Sequence, residues 1–260
     1  MILDDIVEKR KIQLEREKSE ISPEKMKELA LACTRKTISF KDALAAPGIS
    51  IISEVKKSSP SKKVICEDFR PVEQAVKYEK AGANAISCLT EEFYFNGSSK
   101  YLRDIRENVN LPILRKDFII DEYQIYEARV IGADAVLLIS AILDTDTIIK
   151  FKELASSLGL DCLCEIHNEE ELENLLPAEP EIIGINNRNL KTFEVSLDTT
   201  GSLAAKLPEG CIVVSESGIR DNADMKVLRS YGADAVLIGE TLMRTGDVAG
   251  TVAELRKDIV

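Results

Sequence analysis

Gly82-Ala83-Asn84-Ala85-Ile86 returns as Gly132-Ala133-Asp134-Ala135-Val136 and again as Gly232-Ala233-Asp234-Ala235-Val236. The copies stand 50 and then 100 residues apart, so one beat of the repeat, near position 182, is missing. Each copy follows a helix-like stretch (75–81, 125–131 and 225–231) and precedes an apolar run. Glycine supplies the left-handed backbone that closes a helix, and the apolar run after it reads as a buried strand. The repeated unit is therefore helix, turn, strand, the punctuation of a parallel β/α array. Such arrays carry their chemistry at the C-terminal ends of the strands, and functional residues are to be sought there.

Working outward from the repeat gives eight apolar runs, at 50–55, 84–89, 112–116, 134–139, 161–166, 181–186, 211–215 and 234–239. Most lack a clean polar–apolar alternation, as expected of strands buried on both faces. Helix starts lie between them: Asp121 before Glu122-Tyr123, Asp144-Thr145 before 147–158, Asn168 before 169–176, and Asp221 before 223–230. Gly159 and Gly232 stand where helix C-caps belong. Eight strands alternating with helices predict an α/β fold, a (β/α)8 TIM barrel, ahead of an open doubly wound sheet. Residues 1–48 precede the first strand and read as an N-terminal helical extension, with a helix start at Ser22-Pro23-Glu24. The pattern predicts a lid over one barrel end whose outer face is solvated, and which could also shape the substrate mouth. The expected organisation is a single domain, with the barrel over 49–260.

The 260 residues suit one barrel, since such folds commonly run to roughly 250. No stretch approaches the ~18 apolar residues of a membrane span, and acids stand at the N-terminus where a signal peptide needs bases. A cytoplasmic protein without a membrane partner is expected. A net charge of −11 argues against nucleic acid, whose backbone is bound by clustered Lys and Arg. The six cysteines (Cys33, Cys66, Cys88, Cys162, Cys164 and Cys211) show no CxxC spacing and read as buried free thiols. His167 is the one histidine, which excludes a His-rich metal site. Its place just past a strand end predicts a solvated loop or capping residue.

Alternate residues of a barrel strand point inward. By that parity Ile52, Glu54 and Lys56 share the interior in the first strand, Leu114 and Lys116 in the third, and Leu163 and Glu165 in the fifth. The sixth offers Gly184, Asn186 and Arg188; the seventh offers Val214 and Glu216. Five strands thus change from apolar to ionisable or amide residues at the same end. Burying charges costs several kcal/mol each unless they are paired, so this convergence points to function. After strands seven and eight, Ser217-Gly218 and Gly239 stand where barrels bind phosphate through backbone N–H groups. Ser59-Pro60-Ser61 could add hydroxyl donors. The residues alone thus indicate a phosphorylated small molecule and Lys/Glu acid–base chemistry without a metal. Two lysines in one mouth also admit a Schiff base.

The run Ile52-Ser53-Glu54-Val55-Lys56-Lys57-Ser58-Ser59-Pro60-Ser61 resembles the first-strand signature of indole-3-glycerol-phosphate synthases. The resemblance continues in Leu89-Thr90-Glu91, Tyr94-Phe95-Asn96-Gly97-Ser98, Leu111-Pro112-Ile113-Leu114-Arg115-Lys116-Asp117-Phe118, Gly184-Ile185-Asn186-Asn187-Arg188-Asn189-Leu190 and Ser215-Glu216-Ser217-Gly218-Ile219. It spans essentially the whole chain, the extension included. Lys63 departs from it, standing where many relatives have glycine.

The resemblance implies decarboxylating ring closure and dehydration of 1-(2-carboxyphenylamino)-1-deoxyribulose 5-phosphate, with no cofactor. It implies Lys116 as general acid toward the ketose oxygen, Lys56 on the anthranilate carboxylate, and Glu165 as general base or cation stabiliser. Glu54, Asn186 and Glu216 would hold the lysines and substrate hydroxyls, and Arg188 would help bind the carboxylate. Ser59, Ser217, Gly218, Gly239 and Glu240 would line the phosphate site; Phe95, Phe118, Leu137 and Leu237 would wall the aromatic ring. A neighbouring ammonium is expected to depress each lysine's pKa. A monomer is expected, with association with other tryptophan-pathway enzymes left open. The alternative is another phosphate-binding barrel such as phosphoribosylanthranilate isomerase, for which a Cys/Asp pair is expected rather than Lys56, Lys116 and Glu165. A metal-dependent epimerase would need several histidines. A non-catalytic binding barrel would not retain ionisable strand ends.

Overall fold

The computed structural model describes residues 2–59, 63–65 and 68–259. Strands β1 (Ser50–Val55), β2 (Ala85–Leu89), β3 (Ile113–Lys116), β4 (Ala135–Ile139), β5 (Asp161–Ile166), β6 (Ile182–Asn186), β7 (Ile212–Glu216) and β8 (Ala235–Ile238) are parallel. They close into a barrel in which β8 returns to β1, so the (β/α)8 TIM barrel is observed. Strand ends differ from the sequence reading by a residue at most; the largest consequence is that Glu216 belongs to β7. A two-stranded antiparallel ribbon, Ser58–Ser59 with Lys63–Val64, follows β1. Pro60, Ser61 and Cys66 lie outside the described residues.

The helix signals work as their chemistry requires. Asp121 accepts from the Tyr123 N–H and forms a capping box with Gln124, while Asp144, Asn168 and Asp221 accept from Thr147, Glu171 and Asp224. Gly132, with φ 97°, caps the helix Glu122–Ile131 in the left-handed region. Among the cysteines, Cys88 and Cys164 are buried free thiols as expected, whereas Cys33, Cys162 and Cys211 are only half-buried because each sits at an element's edge.

The repeat itself has a mechanical role at the N-terminal end of the barrel. Asn84 Oδ1 accepts from the Ile51 N–H at 3.0 Å, Asp134 Oδ2 from Ile113 at 2.9 Å, and Asp234 Oδ2 from Val213 at 2.9 Å. In each case the residue's own N–H returns a bond to the same partner's carbonyl, at 2.8–2.9 Å. Each even-numbered copy thereby clamps itself to the odd strand before it. Where the beat is missing, Glu181 instead turns its carboxylate to Lys41 Nζ at 2.5 Å.

The N-terminal segment does more than cover one end, which corrects the simple lid. Its short helix Phe40–Leu44 plugs the N-terminal end, where Phe40 and Leu44 join Ile52, Leu114, Leu163 and Val214 in the interior core. Asp161 Oδ2 accepts from the Phe40 and Lys41 N–H groups at 2.8 and 3.0 Å. Burying the Phe40 side chain contributes about 2–3 kcal/mol. Its long helix Ile2–Glu20 reaches the other end, and there Arg10 is wholly buried. Arg10 donates to both oxygens of Asp117 (3.0 and 3.2 Å) and to Glu17 at 2.9 Å. Ile6, Arg10, Gln13 and Leu14 form the buried inner face of this helix, and its outer face is solvated. Among the described residues no helix is long and apolar enough to cross a membrane.

Candidate active site

A cavity of about 1050 Å³ opens at the C-terminal ends of the strands. All sixteen site residues named from the sequence line it: Glu54, Lys56, Ser59, Phe95, Lys116, Phe118, Leu137, Glu165, Asn186, Arg188, Glu216, Ser217, Gly218, Leu237, Gly239 and Glu240. They converge because parallel strands in register bring their last inward positions to one level. Ile139 pairs with Glu165, Glu165 with Gly184, and Asn186 with Glu216. The volume lies at the upper edge of ordinary small-molecule sites, enough for an extended ligand.

Lys116, only 14 % exposed, stands at the centre. Its Nζ donates to Glu165 Oε2 at 2.8 Å and to Glu216 Oε2 at 2.5 Å. Beside it Lys56 pairs with Glu54. The expected depression of Lys116 is not found. Burial by itself lowers it, but Glu165, Glu216 and Glu54 together hold the ammonium above the ordinary lysine range. Carboxylates, not a second ammonium, dominate its surroundings.

The two carboxyls on Lys116 are driven apart. Burial favours the neutral form of each, yet Lys116 and His167 bring Glu165 down to about 2. For Glu216 burial prevails over Lys116, and the neighbouring Glu165 adds to it, so Glu216 is pushed up to about 7. Glu165 is thus held as the anion, while Glu216 is driven toward its protonated form. Two like groups whose environments separate them so are the usual arrangement of acid–base sites. Among the described residues Glu216 Oε1 is buried without a hydrogen-bond partner.

Glycine makes room for these charges at two points. A Cβ at Gly184 would fall on Glu216 Oε1, and one at Gly239 would fall on Glu54 Oε1 and Lys56 Nζ. After β7, Ser217 and Gly218 follow one another at φ 69° and 85°. The buried Asn187 holds that turn, donating to Ser215 Oγ at 2.9 Å and to the Ser217 carbonyl at 3.1 Å. Asn186 accepts from the Arg188 N–H at 3.1 Å, so in the free protein it braces its own loop and not a lysine. Arg188 Nη1 donates to the Phe193 carbonyl at 3.3 Å, and Glu240 accepts from Arg244 Nε at 2.9 Å. Phe95 and Phe118 meet with ring centres 6.0 Å apart, while Leu137 and Leu237 serve both cavity wall and interior core.

Ile2, Leu3 and Ile6 of the extension line the cavity, so the extension does shape its mouth. Three features escaped the sequence reading. Phe193 and Val195 add an apolar flank from the loop after β6. Asp117, buried beside Lys116, ties β3 to Arg10 and Arg115. His167 is neither solvated nor a simple cap: its side chain is 7 % exposed, with Nε2 3.3 Å from Glu165 Oε1 and Nδ1 2.9 Å from Glu171 Oε2. A signal for it existed, since 163, 165 and 167 share parity.

Residues 3–255 match the family model for indole-3-glycerol phosphate synthase. The chain is 53% identical to the indole-3-glycerol phosphate synthase of Lachnospira eligens over 99% of its own length and 97% of that protein. It is 51% identical to the enzyme of the same name from Endomicrobium trichonymphae, over 98% of this chain and 100% of the other. Among solved structures it is similar in fold to a 3-hexulose-6-phosphate synthase, with TM-score 0.65 and 14% identity over 82% of this chain and 100% of that one. A thiamine phosphate pyrophosphorylase from Pyrococcus furiosus aligns with TM-score 0.61 and 17% identity, over 84% and 96% of the two chains.

Proposed function

Because this chain belongs to the indole-3-glycerol phosphate synthase family, we propose how its own residues divide the work of that reaction. The enzyme is a carboxy-lyase of tryptophan biosynthesis. It converts 1-(2-carboxyphenylamino)-1-deoxyribulose 5-phosphate to indole-3-glycerol phosphate, releasing carbon dioxide and water.

The observation that carries the assignment is Lys116 held between Glu165 and Glu216. Its ammonium is the general acid. As the ring carbon attacks the ketose carbonyl, charge builds on the oxygen, and the resulting alkoxide is basic enough to take a proton even from a lysine stabilised by carboxylates. Lys56 pairs with the substrate carboxylate until that group leaves as carbon dioxide, a loss that turns an anion into a neutral product. Glu165, held as the anion, stabilises the cationic ring intermediate and takes the proton from the five-membered-ring carbon beside nitrogen. Glu216 and Glu54 hold the two lysines, and Arg188 joins Lys56 on the carboxylate. In the dehydration Lys56, released when carbon dioxide departs, donates the proton with which the hydroxyl leaves as water.

Ser59, Ser217 and Gly218, with Gly239 and Glu240 through their backbone, form the phosphate end. The turn held by Asn187 and the room secured by Gly239 support that placement. Phe95, Phe118, Leu137 and Leu237 receive the aromatic ring. As to setting, we propose a cytoplasmic monomer folded as one domain. Phe40 and Arg10 bind the extension into the barrel, which supports the single domain.

Purified protein incubated with the carboxyphenylamino-deoxyribulose phosphate is expected to generate indole fluorescence. A rate no higher than that of Lys116→Ala overturns the assignment of Lys116. For the phosphate end, a dephosphorylated analogue that bound as tightly as the substrate would refute it.

A further inference from the structure

We propose that His167 is a positioning residue for Glu165, its imidazole gripped by Glu171 at one nitrogen and presenting the other to the carboxylate that flanks Lys116. The inference rests on Glu165 as the base of the reaction and adds the device that keeps it so.

The geometry is specific. Glu171 Oε2 receives both the backbone N–H of His167, at 2.8 Å, and its Nδ1, at 2.9 Å. Asn168 fixes the other carboxylate oxygen, donating from Nδ2 to Glu171 Oε1 at 2.7 Å, while its own Oδ1 caps the helix through the Glu171 N–H at 3.0 Å. The ring is therefore set by a helix N-terminus that cannot easily turn. With Nδ1 engaged, Nε2 is directed into the site, 3.3 Å from Glu165 Oε1 as a charge contact, and among the described residues it has no hydrogen-bond partner. Glu165 is thus gripped on both sides: Oε2 faces Lys116 and Oε1 faces His167.

The charges around the ring give this contact its sign. Glu165 faces it from β5, Glu171 from the helix Glu169–Leu175 and Glu216 from β7, with Lys116 of β3 beyond Glu165. Burial disfavours the imidazolium, but these three carboxylates outweigh it and raise His167 above the ordinary histidine value. A cation on Nε2 keeps Glu165 ionised next to Glu216, whose proton would otherwise pass to it. It also keeps Oε1 turned away from Lys116, so that Oε2 alone meets the ammonium.

The single histidine makes the test direct, because its imidazole gives one set of NMR signals in the intact enzyme. Its titration midpoint is expected above about 6.5 and is expected to fall by about half a pH unit or more in Glu165→Gln. An inactive Glu165→Gln with an unmoved midpoint overturns the positioning role alone. An active Glu165→Gln overturns the reading of Glu165 on which it rests. Kinetically, His167→Gln is expected to lose about tenfold in kcat with KM within about twofold, and the acid limb of its kcat profile should move to higher pH. A pH profile superposable on that of the unaltered enzyme overturns the proposal. His167→Asn, which retains a donor nearer the backbone, is expected to restore neither limb nor rate.

Discussion

The two ends of the barrel handle buried charge in opposite ways. At the N-terminal end Asp134 is fully buried and every oxygen is spoken for. Oδ1 accepts from Arg35 at 2.7 Å and from the Ile38 N–H at 2.9 Å, and Oδ2 from Arg106 at 2.8 Å and from the Ile113 N–H at 2.9 Å. At the C-terminal end three acids crowd Lys116, and among the described residues Glu216 keeps an oxygen and His167 a nitrogen without a hydrogen-bond partner. Satisfied polar groups stabilise; unsatisfied or repelling ones cost free energy that a stable scaffold must offset. One end is built for folding and the other for a ligand.

Substitutions at the two ends should therefore fail differently, and the largest effect belongs to the site. Lys116→Ala is expected to lower kcat by about a thousandfold or more while still unfolding cooperatively, as steady-state assay and urea titration together would show. Asp134→Ala should cost about 3–5 kcal/mol of stability, because it strands two arginines and two backbone donors. Its kcat per folded molecule should stay within about twofold of normal; a large kinetic loss would break the division between the ends. Gly239→Ala sharpens the contrast, since its methyl would strike the Glu54 and Lys56 pair: about tenfold in kcat/KM is expected, with little change in melting.

The smallest expected effect, on stability, comes from Glu216→Gln. Its carboxyl rises to about 7 on folding, from an unfolded value near 4.3. A raised carboxyl contributes stability that is fully present below the unfolded value and lost as pH climbs through the folded one. Glu216→Gln, which mimics the neutral form, should therefore gain in stability on the parent as pH rises from 5 to 8. Equal melting at both values would show that Glu216 is as well satisfied as Asp134. Loss of activity in the same variant would mark the cost as one the site requires.

Most of the barrel was legible because its signals are local. Glycine at a helix end, Asp or Asn at a helix start, and apolar runs of strand length act over a few residues whatever the rest of the chain does. Inward parity then carried the reading from strands to Glu54, Lys56, Lys116, Glu165 and Glu216, because β geometry ties position to direction. His167 escaped although it shares that parity: the rule was carried past the strand ends to Lys56, Arg188 and Glu216, but in the fifth strand it stopped at Glu165. Asp117 has the opposite parity from Lys116, and its importance depends on Arg10, more than a hundred residues away.

What the sequence determined by itself is thus the repeat, the barrel and the list of ionisable groups at one end. Only the tertiary structure decided their charge states and partners: that Lys116 sits among carboxylates, that Glu165 and Glu216 are pushed in opposite directions, and that the extension reaches both ends. The physical reason is range. Backbone conformation is set by neighbours along the chain, whereas desolvation and Coulomb interaction depend on whatever the closed barrel brings within a few ångströms.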